Sequence, residues 1–341
     1  MKVATALPWT AELWQRLFHQ LQQSRLGHAQ LLVGQEGVGK RVLLREFAQT
    51  LLCQAPTSQF DGDNVSGGPC GQCPSCHLFE AGSHPDILMV EPEEGAKQIK
   101  IEQIRKVTEF VNTTPQQSNR KVVLLGPAEA MNINASNALL KSLEEPVANV
   151  TLLLYSHLPS ALLATIRSRC QQHAISPPSW AEGLNWLQRN SDQTNLDSLL
   201  RLAKGAPLKA LTLAEQEAQV QYMQFCQDMR DLITGKAAWI SISTKWKNWE
   251  VQWLVQWFYE LALDAQKSQG QVGVSSLSVQ ELGDESNRIG AGSSYQALSG
   301  FAEKVVQCQS QLRSQGNPNS VMLIETLVFD WLGLLRQASA Q

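Results

Sequence analysis

What this sequence has little of narrows its class before any motif is read. None of its 341 residues fall in an apolar run near the roughly 18 residues that a membrane-spanning helix needs. The first stretch, MKVATALPWTAELWQRLF, lacks a basic segment followed by an apolar one, so no signal peptide is expected and a cytoplasmic location is. An excess of one charge is missing too. Lys plus Arg is 28 and Asp plus Glu is 31, leaving a net charge of −3, unlike a dedicated nucleic-acid binder. Contact with DNA is therefore expected to be local or made through partners. Internal repeats are absent. Seven cysteines in a chain without an export signal read as thiols or metal ligands rather than a disulfide framework. The hydrophobic fraction of 43% and charged fraction of 17% are ordinary for a globular protein, and the length predicts two or three domains.

Periodicity orders what is there. Leu13, Leu17, Phe18 and Leu21 recur at helical spacing, predicting a helix over 9–25. AQLLVG reads as a buried strand, Gly34 to Lys40 as a turn, and RVLLREFAQTLL as a helix. The stretch QAPTSQFDGDNVSGGP is too rich in Gly, Pro and Ser to be expected in regular structure. Beyond it, DILMVEP, KVVLLG and VTLLLYS read as strands. IKIEQIRKVTEFVNTT, NINASNALLKSLEEP and PSALLATIRSRC read as helices. Such alternation predicts a parallel α/β sheet over residues 1–174. No convincing strand follows ISPPS at 175–179. The remainder reads as helices, with a low-information loop over 267–297.

CGQCPSC puts Cys70, Cys73 and Cys76 at two successive C-x-x-C spacings, with Cys53 the obvious fourth thiolate. Four thiolates in a loop suit tetrahedral zinc in a closed, structural site. His77 in place of Cys53 is the alternative ligand set, and a redox pair or buried thiols the alternative chemistry. Cys226 and Cys308 lie in helical patterns and are expected in the core.

Gly34, Gly37, Gly39 and Lys40 lie in a strand–loop–helix context that fits G-x-x-x-x-G-K. A working loop next needs Ser or Thr to ligate magnesium, and an acidic residue at the end of another strand. The sequence has Arg41, which has no lone pair to offer a cation. After KVVLL it has Gly126, Pro127, Ala128 and only then Glu129. Two parts of the magnesium machinery are missing, so a P-loop fold without hydrolysis is expected. Residual weak binding of phosphate and an inert turn both remain open.

Taken together, HAQLLVGQEGVGK, GSHPDI, SNALLKSLEEP and TIRSRC, with the four-Cys insertion, resemble the bacterial clamp-loader proteins of the AAA+ class. The resemblance covers about residues 5–210. It implies a RecA-like AAA+ domain over 1–174 with a zinc insertion near 53–77, a helical lid over 175–213, and an all-α collar domain over 214–341. It implies gamma/tau and delta subunits of the DNA polymerase III holoenzyme as partners, with the sliding clamp and primer-template DNA reached through the complex. LPW near the start and the degenerate magnesium site point, within the family, to a stator that does not hydrolyse ATP. The family's Ser-Arg-Cys motif falls on Ser168, Arg169 and Cys170. Arg169 is then the arginine offered to a neighbour's ATP, a role that suits a permanently charged planar fork.

Other features have plainer readings. Ser156, where active relatives sense phosphate, is expected to make local hydrogen bonds. Glu144 and Glu145, before the helix-stopping Pro146, are expected in surface or subunit contacts. His84-Pro85-Asp86 reads as a turn lock. Two rival functions stay open: an active P-loop ATPase using Glu129 for magnesium, and a zinc-containing DNA-binding module outside any complex.

Overall fold

The computed structural model describes residues 7–61, 64–193, 196–215, 218–269, 282–313 and 319–339. The chain divides into two units after Leu213.

A parallel sheet whose inner strands are apolar on both faces forms the centre of the first unit. β1 (Ala29–Val33), β4 (Ile87–Val90), β5 (Lys121–Leu125), β6 (Val150–Ser156) and β7 (Gln171–Ala174) make a five-stranded parallel sheet in the order β4-β5-β6-β1-β7. Side chains alternate along each strand. Leu32, Val122, Leu124, Leu153 and Tyr155 therefore enter one core, and Leu31, Val123, Leu125, Leu152 and Leu154 the other. On the first face, α1 (Ala11–Gln22) supplies Leu13, Trp14 and Leu17, and α2 (Lys40–Leu52) supplies Leu43, Leu44 and Phe47. α4 (Ile101–Val111), α5 (Ile133–Glu144) and α6 (Ala164–Arg169) cover the other with Ile104, Val107, Leu139, Leu143 and Ile166. The sheet is covered on both sides, which is why β1, β4, β5 and β6 read as apolar runs.

Three strands depart from the sequence reading. The Gly-rich stretch expected to be irregular is a hairpin, β2 (Thr57–Asp61) paired antiparallel with β3 (Asn64–Gly68). Helix α1 docks on its end: the Trp14 indole N–H donates to Gly67 O at 2.9 Å. A Cβ at Gly67 would lie 2.3 Å from the Phe18 ring, so only glycine permits this approach. β7 carries Gln171, Gln172 and His173, a polar run without a strand signal. It is an edge strand held by pairing with β1. Buried His173 also contacts Gln30 Oε1 at 2.7 Å.

A short α3 (Pro74–Glu80) follows the hairpin. After β7 come α7 (Trp180–Asn190), α8 (Leu196–Leu202) and α9 (Pro207–Glu215).

The second unit is helical among its described residues: α10 (Ala218–Ile233), α11 (Trp239–Trp246), α12 (Val251–Gln269), α13 (Gly283–Gly292), α14 (Tyr295–Arg313) and α15 (Ser320–Ser339). α13 lies inside the 267–297 stretch read as loop; residues 270–281 of that stretch are outside the described residues. Its periodicity is blurred by Gly and Ser, and packing on α12 selects the helix. Aromatic rings fill this core, with Phe225 5.2 Å from Trp246 and 5.4 Å from Phe258 between ring centres. Trp246 and Trp257 are core residues. Buried Asp228 accepts from the Trp246 indole and the Lys245 ammonium, each at 2.8 Å.

Candidate functional site: a closed phosphate loop, a thiol cluster and an outward arginine

Ligands of parallel α/β sheets bind beyond the carboxyl ends of the strands. Here those ends present Gly34 after β1, Glu91 after β4, Gly126 after β5 and His157 after β6. The loop from Gly34 to Gly39 joins β1 to α2 as the spacing predicts. Its contacts are not those of an open cradle. Lys40, 2% exposed, donates its ammonium to Gly34 O and Gln35 O, both at 2.6 Å. The group that should reach a phosphate is spent on its own loop. Burial lowers its pKa to about 8, although Glu129 and Glu36 act in the opposite direction.

The outer side of the loop is covered by α9. Leu208 N donates to Gly37 O at 3.1 Å, and Lys209 pairs with Glu36 at 2.7 Å. Gly37 has φ +80°, and a Cβ there would lie 2.4 Å from Lys209 Cβ. Gln35 donates to Ala203 O at 2.8 Å. From the other side, the Trp9 indole donates to Val38 O at 2.8 Å, and Leu7 lies against Gly39. Gly34 abuts the Ile175 carbonyl.

Arg41 has a partner that the sequence reading did not assign. Its Nε and Nη2 meet the two oxygens of Glu91 at 2.5 and 2.8 Å. The Tyr155 hydroxyl donates to the same carboxylate at 2.9 Å. The hydrogen bond to Glu91 raises the Arg41 pKa further. A carboxylate at a strand end beside the P-loop is thus already neutralised by a guanidinium. Glu91 follows DILMV rather than KVVLL, and the Arg41 side chain at the start of α2 reaches it. The strand ending at Gly126 is not the neighbour of β1, because β6 lies between them. Glu129 accepts from His157 N at 2.8 Å through Oε1, while its Oε2 is buried without a partner. Ser156 is fully buried and accepts from Leu158 N at 3.1 Å, a local bond at a strand end.

The sulfurs of Cys53, Cys70, Cys73 and Cys76 all lie within 4.8 Å of one another. Cys53–Cys73 and Cys70–Cys76 are each 3.9 Å apart. Zinc bonds of about 2.3 Å in a tetrahedron imply sulfur separations of roughly 3.8 Å. Backbone N–H groups point at the sulfurs: Cys70 N to Cys53 and Cys73 N to Cys70 at 3.3 Å, and Cys76 N to Cys73 at 3.4 Å. Donors of that kind favour thiolate over thiol. Burial works to raise the Cys73 pKa, but the N–H groups of Gln54 and Cys76 and the neighbouring thiols bring it to about 6. Burial pushes the Cys76 thiol up. The residues fit a four-sulfur metal site, and exposed His77 is not part of the cluster.

Beside it, His84-Pro85-Asp86 locks a turn, as its residues predict. The Asp86 carboxylate is fully buried and accepts from the N–H groups of Gln116, Gln117 and Ser118, each at 2.7 Å. His84 Nδ1 accepts from Asp86 N at 3.0 Å, which leaves Nε2 to meet the Ser75 hydroxyl at 2.8 Å. Ser75 in turn donates to Leu52 O at 2.7 Å, tying together the chain next to Cys53 and Cys76.

Arg169 is the last residue of α6 and faces outward, its side chain 35% exposed. Nη1 donates to Thr165 O at 3.0 Å and Nη2 meets Glu144 Oε1 at 2.7 Å. Ser168 is exposed and donates to Thr165 O at 3.1 Å.

Residues 9–179 match the family described as DNA polymerase III, delta subunit. Residues 216–333 match that described as DNA polymerase III, delta subunit, C terminal. The DNA polymerase III subunit delta' of Pseudomonas aeruginosa is 37% identical over 335 residues, 97% of this chain and 99% of that one. Its counterpart in Escherichia coli K12 is 31% identical over 324 residues, 94% of this chain and 93% of that one. The tau/gamma subunit of Haemophilus influenzae is 33% identical over 190 residues, 54% of this chain but 26% of that one. Likeness along nearly the whole of both chains is therefore to subunit delta', and this chain belongs to the DNA polymerase III subunit delta' family.

Proposed function

We propose that this chain is the non-hydrolysing stator subunit of a clamp loader and offers Arg169 to ATP bound by a neighbouring subunit. The observation that carries the reading is the closed P-loop. Lys40 is held by Gly34 O and Gln35 O, and Gly37 lies under the first turn of α9. A phosphate would have to displace both. Arg169, by contrast, keeps exposed guanidinium surface at a helix end. A guanidinium delivered across an interface stabilises charge on the transferring phosphoryl group. Ser168 sets the helix end that carries it.

In this reading gamma/tau and delta subunits are the partners, and the sliding clamp and primer-template DNA are reached through the assembly. Residues 1–174 are the AAA+ domain, 175–213 a lid closed on the loop of the same unit, and 214–341 the collar. Cys53, Cys70, Cys73 and Cys76 hold structural zinc. Held there, it would cross-link the end of α2 to the start of α3, a structural role. The test has two arms. The purified chain should show no ATP hydrolysis. In a complex reconstituted with gamma/tau and delta subunits, Arg169→Ala should lower the DNA-dependent ATPase rate. An unchanged rate would sink the finger role. Hydrolysis by the isolated chain, lost in Lys40→Ala, would establish instead the active ATPase that uses Glu129 for magnesium.

A further inference from the structure

We infer that Glu144 is a positioning residue for Arg169, holding the guanidinium in the geometry in which it meets a neighbour's nucleotide. The inference rests on the finger role proposed above.

Glu144 is the last residue of α5 and Arg169 the last of α6. The helices themselves are fixed, because Leu139, Leu143 and Ile166 lie in one core. Two rigid helix ends therefore bring the carboxylate and the guanidinium together at 2.7 Å. The charges differ in what their helices do for them. A helix C-terminus carries partial negative charge, which favours Arg169 and disfavours Glu144. Glu144 gains little from its own helix, and the charge that compensates its position is Arg169.

The bonding pattern leaves the fork usable. Arginine has five N–H donors in one plane. One goes to Thr165 O and one to Glu144 Oε1. Those contacts hold Nη1 and Nη2 while other N–H groups remain for an incoming oxygen. A free arginine side chain has many rotamers to lose on meeting a phosphate. One already anchored at both terminal nitrogens has fewer. Side-chain exposure of 35% for Arg169 and 48% for Glu144 makes the pair a small term in folding. Its geometry matters more for the placement of the fork than for stability.

The experiment uses the full complex with gamma/tau and delta subunits, primer-template DNA and clamp. Steady-state ATP hydrolysis is measured against ATP concentration for the parent chain and for Glu144→Gln, Glu144→Asp, Arg169→Ala and the double variant Glu144→Gln/Arg169→Ala. A misplaced catalytic group costs up to about 100-fold. Glu144→Gln should therefore lower kcat at the site this chain serves by roughly tenfold, with KM for ATP unchanged. Glu144→Asp, which keeps the charge on a shorter stem, should fall between it and the parent. The double variant should be no slower than Arg169→Ala, since the two residues act as one unit. A Glu144→Gln complex as fast as the parent, or faster, overturns the positioning role while a slow Arg169→Ala leaves the finger standing. Failure of Glu144→Gln to assemble also overturns it, making Glu144 a subunit contact. If Arg169→Ala is itself without effect, it is the finger role that has failed.

Discussion

At the scale of single residues, the P-loop shows how a motif can keep its form while its bonds go elsewhere. Arg41→Thr would restore the consensus, yet Lys40 would remain bound by Gly34 O and Gln35 O. The expected outcome is no gain in ATP hydrolysis, measured as phosphate release by the purified chain. Gly37→Ala should destabilise the first unit by about 1–3 kcal/mol in denaturant titration, because its φ is +80° and the new Cβ meets Lys209. Among the thiols, metal binding requires thiolate, so protons compete with zinc. Metal content after dialysis should therefore fall as pH is lowered. Cys76→Ser should lose the metal at neutral pH as well. Cys70, Cys73 and Cys76 were legible from their spacing, and Cys53 from its place at the end of the preceding helix. Glu91 was not, since nothing local ties it to a residue fifty positions earlier.

At the scale of elements, the apolar strands and amphipathic helices fall where periodicity places them. The misses have particular causes. The β2–β3 hairpin is polar and Gly-rich, and it is positioned by Trp14 donating to Gly67 O. β7 is defined by ladder bonds to β1 and by polar side-chain contacts such as His173–Gln30, not by an apolar pattern. Helix α13 takes shape where Gly and Ser weaken propensity and a packing partner decides. Asp86 is the element-scale counterpart of a metal, gathering three backbone N–H groups at the start of β4. Asp86→Ala should cost roughly 3 kcal/mol, read from urea denaturation. Burial works to raise the Asp86 pKa, but those N–H groups and His84 hold it below the ordinary 3.8. A depressed carboxylate stabilises the fold above its unfolded value and loses that contribution as pH falls through the folded one. The parent should therefore lose stability below about pH 4 more steeply than Asp86→Ala.

At the scale of the molecule, the two units have separate cores and need not melt together. Tryptophans 9, 14, 180 and 186 lie in the first and 239, 246, 249, 253, 257 and 331 in the second. On the proposed zinc reading, a chelator should lower only the transition of the first unit in calorimetry. Asp228→Ala should lower only the second, because it strips the Trp246 indole and Lys245 of their shared acceptor. The sequence by itself determined the parallel α/β class, the thiol set, the helical C-terminal third and the missing magnesium ligand at Arg41. Each is written in neighbouring residues, as period, spacing or side-chain chemistry. Only the tertiary structure decided that α9 covers the phosphate loop, that Arg41 is matched by Glu91, and that Glu144 pairs with Arg169. Those pairings join residues far apart in the chain, and strand order and helix packing alone bring them within bonding distance.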